Sequence, residues 1–263
     1  MDQILLHRAT GRRLAHLREI TGLEEQRVSN TTTADAISLI QQLLFVPNDE
    51  ALNVDEVPEL TPWERDRLLA AVYTRQYGPR IDSIMNCRSC EAPYDVDFNL
   101  QTLMDRLAPT PAAVVAHLGD AVFECHNVRF RLPTGRDECA VSGLPPGQAE
   151  AELFQRCIMD SAELDDRTSS GIQAAMQTLS PVVDLELDAR CPECGKAQTL
   201  RFDLQRYLLT ALLNDRRRLL HEIHILAAAY SWSLSEILHL PRSQRRGFVA
   251  LVDADDMLEK ARG

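Results

Sequence analysis

The sequence predicts an α+β fold, in which a small antiparallel sheet is combined with a largely helical C-terminal region. Two observations predict it. Several segments in the middle of the chain alternate apolar and polar residues with the period of two that a half-buried strand requires. From Leu204 onward the apolar residues follow a helical period instead, almost without interruption.

Residues 1–60 are predicted to be an N-terminal extension and linker. Thr21 and Glu24 fit a capping box at the start of a helix, and apolar residues recur at a helical period across residues 34–45. The stretch 46–60 is acidic, contains two prolines and has no hydrophobic period. This stretch is therefore predicted to be a linker or an exposed loop.

Residues 61–203 are predicted to be the α+β core. A helix should begin after Thr61, because Pro62 occupies its first position and Glu64 can complete a capping box, and it should end at Gly78. Three segments then alternate apolar and polar residues and are predicted to be strands of one small antiparallel sheet. They span residues 94–100, 128–132 and 183–188.

Residues 204–263 are predicted to be a helical region packed on that core. One long helical segment should reach Tyr230, and a capped turn should follow from Ser233 to Glu236. Pro241 then forces a break before the last helix, because proline cannot continue the backbone hydrogen bonds of a helix interior.

Composition limits the classes of function. A chain of 263 residues that is 45% hydrophobic can bury a substantial core. Its formal net charge of -11 disfavours nucleic acid as a partner, because the average surface repels phosphate. No apolar run approaches the length of a membrane span, and the charged start does not resemble a signal peptide, so a cytoplasmic location is predicted.

Four of the seven cysteines form two CxxC pairs, Cys87 with Cys90 and Cys191 with Cys194. Each pair is followed at the same offset by Phe-x-Leu-Gln, which begins at Phe98 after the first pair and at Phe202 after the second. This repeat indicates two matching knuckles, each placed between an extended segment and a strand that leads into a helix. A reducing compartment favours metal binding by such cysteines over disulfides.

Two CxxC knuckles brought together would supply four thiolates, which is a closed tetrahedral zinc site with no position left for water or substrate. The second knuckle, within residues 182–203, would thus complete a split zinc ribbon with four cysteine ligands, Cys87, Cys90, Cys191 and Cys194, and a structural Zn²⁺ as cofactor. About a hundred residues separate the pairs, far more than in a usual ribbon. A redox-active pair, two separate sites and loss of the metal therefore remain alternatives.

Other chemistry-bearing residues have simpler interpretations. The three remaining cysteines are predicted to be buried apolar residues, and His221 and His224 to be ordinary helix residues. The sequence contains no GxSxG, Walker, glycine-rich dinucleotide or HExxH motif, so no enzymatic activity is predicted.

Several segments resemble the baseplate hub assembly chaperone family of T-even-type contractile phage tails and related contractile injection systems. The resemblance covers about residues 60–252 and is carried by both knuckles, VRFRLPTGRDE at 128–138, FDLQRYL, and the ending LLHEIHILAAAYSWSLSEILHLPRSQRR. It implies a non-enzymatic assembly chaperone acting on a baseplate hub protein or the tape-measure protein, in the cytoplasm of the producing bacterium or the phage-infected host.

A chaperone of this kind must expose an apolar surface of its own, and the helical tail is the best candidate. The predicted partner-binding residues are Tyr230, Trp232, Leu234, Ile237, Arg242, Arg245 and Arg246. The aromatic residues can equally well pack the tail against the core, and the arginines can be solvated helix faces. Alternatives for the function are a structural component retained in the finished baseplate and, less favoured, a zinc-ribbon nucleic-acid-binding protein.

Overall fold

The computed structural model describes residues 2–8, 11–110, 115–119, 121–160 and 164–262, and within them it confirms a mixed helix and sheet fold. The N-terminal third contains two strands, two helices, a short third strand and a long helix. These elements are β1 (Asp2–Arg8), β2 (Gly11–Leu17), α1 (Gly22–Arg27), α2 (Thr33–Leu43), β3 (Leu44–Phe45) and α3 (Pro62–Tyr77).

The middle of the chain carries the remaining strands and four further helices. They are β4 (Arg80–Asn86), β5 (Pro93–Asn99), α4 (Leu100–Leu107), β6 (Ala116–Gly119), β7 (Val122–Cys125), β8 (Val128–Arg131), α5 (Gly135–Val141), α6 (Pro146–Cys157), α7 (Asp166–Leu179), β9 (Asp184–Arg190) and β10 (Ala197–Asp203). The C-terminal region is helical: α8 (Leu204–Asn214), α9 (Arg216–Tyr230), α10 (Leu234–His239) and α11 (Arg242–Arg262).

Within the described residues the strands form four separate antiparallel sheets rather than one. Their orders are β1-β2-β3, β4-β5, β6-β7-β8 and β9-β10. The three segments predicted from alternation are all strands, but β5, β8 and β9 lie in three different sheets. Alternation reports that one face of a strand is buried and does not report which strand lies beside it.

Local sequence sets several helix boundaries. The predicted capping boxes are present at Thr21, Thr61 and Ser233, and in each the side chain of a glutamate three residues later accepts a hydrogen bond from the capping residue's backbone N–H. Helix α3 ends at Tyr77 and is capped by Gly78, whose φ of 89° is accessible to glycine at little cost. These boundaries depend on neighbouring residues alone, which is why the sequence predicts them.

One apolar core joins side chains from all three predicted segments of the chain. Leu6 and Leu17 come from the first sheet, Leu68 from α3 and Leu208 from α8. The stretch predicted as linker contributes to this core as well. Residues 46–50 are exposed, whereas Ala51, Leu52, Val57 and Leu60 are buried around a 3-10 helix (Val54–Glu59), so the prediction of a loop is wrong for the second half.

The fold contains an internal repeat that includes both knuckles. A helix, a hairpin with the CxxC at its tip and a second helix occur as α3, β4, β5 and α4, and again as α7, β9, β10 and α8. The two hairpins pair in the same register, with equivalent positions 104 residues apart, as Cys87 and Cys191 are. The structure thus extends the short sequence repeat to a unit with four elements.

Candidate metal centre

The first knuckle, Cys87 to Cys90, forms the tip of the β4–β5 hairpin. The Cys87 N–H donates to the carbonyl of Ala92 at 2.9 Å, and the Glu91 N–H donates to the carbonyl of Cys87 at 2.9 Å. Glu91 has a φ of 60°, in the left-handed region. This tight turn reverses the chain directly after the second cysteine.

The second knuckle, Cys191 to Cys194, has the same backbone hydrogen bonds at the tip of the β9–β10 hairpin. The Cys191 N–H donates to the carbonyl of Lys196 at 3.0 Å, and the Gly195 N–H donates to the carbonyl of Cys191 at 2.9 Å. Gly195 has a φ of 69° and is equivalent in position to Glu91 of the first knuckle. The two CxxC segments therefore fold alike, although their intervening residues differ.

The two knuckles face each other, and all four sulfur atoms lie within 4.8 Å of one another. Two sulfur–sulfur contacts join the hairpins, at 3.6 Å between Cys87 and Cys194 and at 3.8 Å between Cys90 and Cys191. A disulfide requires about 2.05 Å, so these are not bonded pairs. The structure confirms the prediction that the distant CxxC pairs form one cluster.

Two separations between sulfurs of different hairpins fit a tetrahedral metal ion. With a metal–sulfur bond of about 2.3 Å, two ligands of a tetrahedron lie about 3.8 Å apart. The 3.6 Å and 3.8 Å separations match that value. Four thiolates in this arrangement complete the coordination shell, which is the property of a structural rather than a catalytic metal site.

The cluster is half sheltered from solvent. Cys87 and Cys191, the first cysteine of each pair, are buried against Tyr94, whereas Cys90 and Cys194 are exposed. A hydrogen bond outside the cluster also joins the hairpins at this end, where the Arg88 N–H donates to Oε1 of Gln198 at 2.9 Å. The two hairpins are thus held together beside the sulfurs as well as through them.

Backbone N–H groups stabilise a thiolate at Cys87. The N–H groups of Cys90 and Ser89 lower the pKa of the Cys87 thiol to about 6, and the Ser89 nitrogen lies 3.4 Å from the Cys87 sulfur. A thiolate is the form of cysteine that binds metal. The turn geometry therefore favours the protonation state that a metal ligand needs at Cys87. At Cys90 the Ala92 N–H lowers the pKa of the thiol, but the Cys87 thiol and burial together raise it to about 12.

Three of the predicted partner-binding residues lie on the surface of the helical tail. Tyr230 and Leu234 are exposed, and the half-buried ring of Trp232 stacks on Tyr230 with their centroids 4.8 Å apart. Phe248, which the sequence interpretation missed, packs edge to face on Trp232 at 5.1 Å. The exposed Leu251 follows Phe248 by three residues on α11, a helical spacing that can indicate a shared face.

The other predicted partner-binding residues face the protein itself. Ile237, Arg242 and Arg245 are at most 2% exposed and so offer no surface to a partner. Arg245 donates to Glu25 at 2.7 Å and to Glu222 at 2.5 Å, and the half-exposed Arg246 lies 3.4 Å from the same Glu222. These arginines, predicted to bind a partner, therefore belong to an ion-pair network that packs α11 against α1 and α9.

Arg242 extends this network to α3. Its guanidinium pairs with Asp215 and lies over the ring of Tyr77, 5.1 Å from the centroid. The Tyr77 hydroxyl donates to Asp215 at 2.9 Å. The solvated helix face that the sequence also allowed is thus wrong for Arg242 and Arg245, because carboxylates and an aromatic ring from other elements enclose them.

Two of the three remaining cysteines are buried as predicted, and both histidines are ordinary helix residues. Cys125 and Cys157 are buried, Cys139 is half-buried, and burial raises the pKa of all three thiols. His221 and His224 are not buried; both lie on the solvent side of α9. Within the described residues, the cluster at the two knuckles is the one group of cysteines, histidines and carboxylates placed to share a metal ion.

Fold and site together define a mixed α and β protein with a four-cysteine centre that can bind a metal ion such as zinc. No family model, no curated protein and no solved structure matches this chain. In the part of the chain that the structure describes, no helix has both the length and the apolar character needed to cross a membrane.

Proposed function

We propose that the four cysteines hold one structural zinc ion. The observation that supports zinc most directly is the convergence of four sulfurs within 4.8 Å of one another, with separations of 3.6 Å and 3.8 Å for two pairs that join the hairpins. Tetrahedral sites made of four thiolates are typical of zinc or iron. Zinc would stabilise the fold by joining two hairpins that are about a hundred residues apart in the sequence.

We propose further that the chain is a non-enzymatic assembly chaperone that binds a protein client. The observation that supports binding is the aromatic surface, defined as Tyr230, Trp232, Phe248, Leu234 and Leu251. Its exposed members are 38% (Tyr230), 54% (Leu234) and 57% (Leu251) accessible to solvent. Aromatic residues in an exposed apolar patch are typical of protein-binding hot spots.

The resemblance to baseplate hub assembly chaperones indicates which client to test. In this proposal the aromatic surface covers apolar surface of a baseplate hub protein, or of the tape-measure protein, until assembly. The zinc centre keeps the molecule rigid and takes no part in a reaction.

Co-expression with each tail protein of the same gene cluster, followed by pull-down of this chain, tests the proposal. We expect one hub or tape-measure protein to be retained and Trp232→Ala to reduce its retention at least tenfold. Met159→Ala is the matched control, because Met159 is 49% exposed and lies outside the aromatic surface. Retention of no tail protein, or equal loss with both variants, would refute the proposal.

A structural component of the finished baseplate is the second candidate, because the same surface could hold a permanent neighbour. Mass spectrometry of purified particles separates the two: a chaperone is absent or strongly substoichiometric, whereas a component is present in a fixed ratio. The nucleic-acid alternative has less support, since Arg242 and Arg245 are buried between carboxylates. It predicts DNA or RNA binding that weakens steeply with salt.

A further inference from the structure

A groove of about 1340 Å³ lies between β1, α3, α4 and the β6-β7-β8 sheet. Its walls include Leu5 of β1, Trp63 and Arg67 of α3, Met104 of α4 and Phe123 of β7. None of these residues belongs to the zinc centre or to the aromatic surface. The groove is large enough for a peptide segment of several residues.

The β1 strand presents an unpaired edge to this groove. It pairs with β2 on one side, and in the described residues no strand pairs with its other side. Leu14 is the partner of Leu5 across the β1–β2 ladder. Its carbonyl accepts a hydrogen bond from the Leu52 N–H, on the side of β2 that faces away from β1. Leu5 and Leu14 are therefore a non-hydrogen-bonded pair of the antiparallel ladder, in which both residues direct their backbone N–H and C=O groups away from each other. Gln3, two residues earlier on β1, has the same orientation. The backbone groups of Gln3 and Leu5 thus point away from β2, and both residues line the groove.

The opposite wall is one face of α3. Trp63, Arg67, Ala70, Ala71 and Thr74 line the groove at the spacing of a single helical stripe. The small side chains of Ala70 and Ala71 leave space at the middle of this wall, and Trp63 forms one end. A strand laid along β1 would find an apolar surface for its side chains here.

Arg67 provides a charge for recognition. It is half-buried, and its Nη1 donates to the carbonyl of Leu5 at 2.6 Å, a neutral acceptor on the strand edge. Burial lowers the pKa of its guanidinium, and the charge of Glu64, which also lines the groove, opposes that shift. By contrast, Arg131 and Glu59, which also line the groove, pair with Asp137 and Arg136.

We propose that this groove binds an extended, acidic peptide segment of a partner protein, which adds a strand to the free edge of β1 and places a carboxylate on Arg67. Main-chain hydrogen bonds to Gln3 and Leu5 supply affinity, as in other cases of strand addition. The carboxylate replaces the neutral acceptor of Arg67 with a charged one, which strengthens the hydrogen bond. The inference is independent of the proposed chaperone function, because it uses a different surface.

Two pools of acetylated and amidated eight-residue peptides test it on the full-length protein. Seven positions are drawn from Val, Ile, Thr, Leu and Ser, and the fourth residue is Asp in one pool and Asn in the other. We expect the immobilised protein to retain the Asp pool at least fivefold better. Hydrogen exchange should slow at the backbone N–H groups of Gln3 and Leu5, and the fluorescence of Trp63 should change in a Trp232→Phe background.

Two variants and a control complete the test. Arg67→Gln should abolish the preference for Asp, and Leu5→Pro should abolish retention of both pools, since it removes an outward N–H and spares the bonds to β2. Arg217→Gln, on the exposed part of α9, should change neither. Equal retention of the two pools, retention that Leu5→Pro leaves unchanged, no retention, or exchange protection away from β1 would each overturn the proposal.

Discussion

The rings of Phe98 and Phe202 meet edge to face with their centroids 5.0 Å apart. These two residues occupy equivalent positions in the internal repeat, eleven residues after Cys87 and Cys191. Each is the penultimate residue of the second strand of its hairpin, before the capping residues Asn99 and Asp203. The repeated units therefore meet at two places, through the cysteines at one end of the hairpins and through the phenylalanines at the other.

Replacing either phenylalanine should weaken this contact between the repeats. We expect Phe98→Leu and Phe202→Leu each to lower the free energy of unfolding by about 1–3 kcal/mol, because each removes buried aromatic surface. The double variant should show a coupling of about 0.5–1.5 kcal/mol, as aromatic pairs do. Urea unfolding with zinc in excess measures all three, and strictly additive losses would contradict the contact.

Removing the glycine of the second knuckle should lower stability, whereas introducing glycine at the equivalent position of the first knuckle should raise it. A Cβ at Gly195 meets no heavy atom within 4 Å, but its φ of +69° strains any other residue, so Gly195→Ala should cost about 1–2 kcal/mol. Glu91 already has a φ of 60°, so Glu91→Gly should relieve strain and stabilise the fold by up to about 1 kcal/mol. Thermal unfolding of the two variants tests this, and a shift of Tm in the same direction for both would be inconsistent with matching turns.

Because Arg245 belongs to the buried ion-pair network and Arg217 does not, replacing Arg245 should lower the free energy of unfolding far more than replacing Arg217. Arg245→Ala removes the nearest partner of the buried Glu25 and Glu222, which keep only longer contacts to Arg242 at 3.6 Å and Arg246 at 3.4 Å. We expect a loss of about 3–5 kcal/mol in the free energy of unfolding. Arg217→Ala, at an exposed position of α9, should change stability by less than about 0.5 kcal/mol. Chemical unfolding measures both; a loss below about 1 kcal/mol at Arg245 would argue against the network.

Asp66 should make stability depend on pH near neutrality. Burial raises the pKa of this carboxyl to about 7, although its Oδ2 accepts a hydrogen bond from the Val183 N–H at 2.8 Å. The unfolded chain loses this proton near pH ~4. Between about pH 4 and 7 the folded state thus holds more protons, so the contribution of Asp66 to stability is fully present below about pH 4 and falls as pH rises to about 7.

Asp66→Asn removes the free-energy cost of burying a charged carboxylate at high pH, because an amide oxygen can accept the same hydrogen bond without a charge. We expect the variant to be more stable than the wild type by more than about 1 kcal/mol at pH 8, with a smaller difference at pH 5.5. Denaturant unfolding at the two pH values measures the difference. An advantage of the variant that grows as the pH falls would have the opposite sign and would exclude this explanation.

Features that depend on neighbouring residues could be predicted from the sequence. Short segments of sequence determine the capping box at Thr61, the turns of both knuckles and the strand predicted at residues 94–100, which the structure places at Pro93–Asn99. The matched Phe-x-Leu-Gln indicated that Cys87 and Cys191 belong to one cluster. The prediction that the four cysteines converge followed from that local likeness, even though about a hundred residues intervene.

Features that depend on distant partners could not be predicted. Arg245 lies in a cluster of arginines that is typical of a solvated or basic surface, and its burial follows from Glu25, 220 residues away in the chain. Likewise, Leu52 and Leu60 lie in an acidic stretch with no hydrophobic period, and tertiary packing around a 3-10 helix buries them. Periodicity detects regular amphipathic elements and does not detect irregular segments of a core.

The metal content of the purified chain tests the central claim most directly. Inductively coupled plasma mass spectrometry should find one zinc per chain in the wild type and in Cys139→Ser, whose half-buried cysteine lies outside the cluster. Because both knuckles hold one ion, Cys90→Ser and Cys194→Ser should each reduce the zinc that survives dialysis against a chelator to a small fraction of the wild-type value. Two zinc ions per chain, no zinc in the wild type, or full retention by either variant would contradict a shared site.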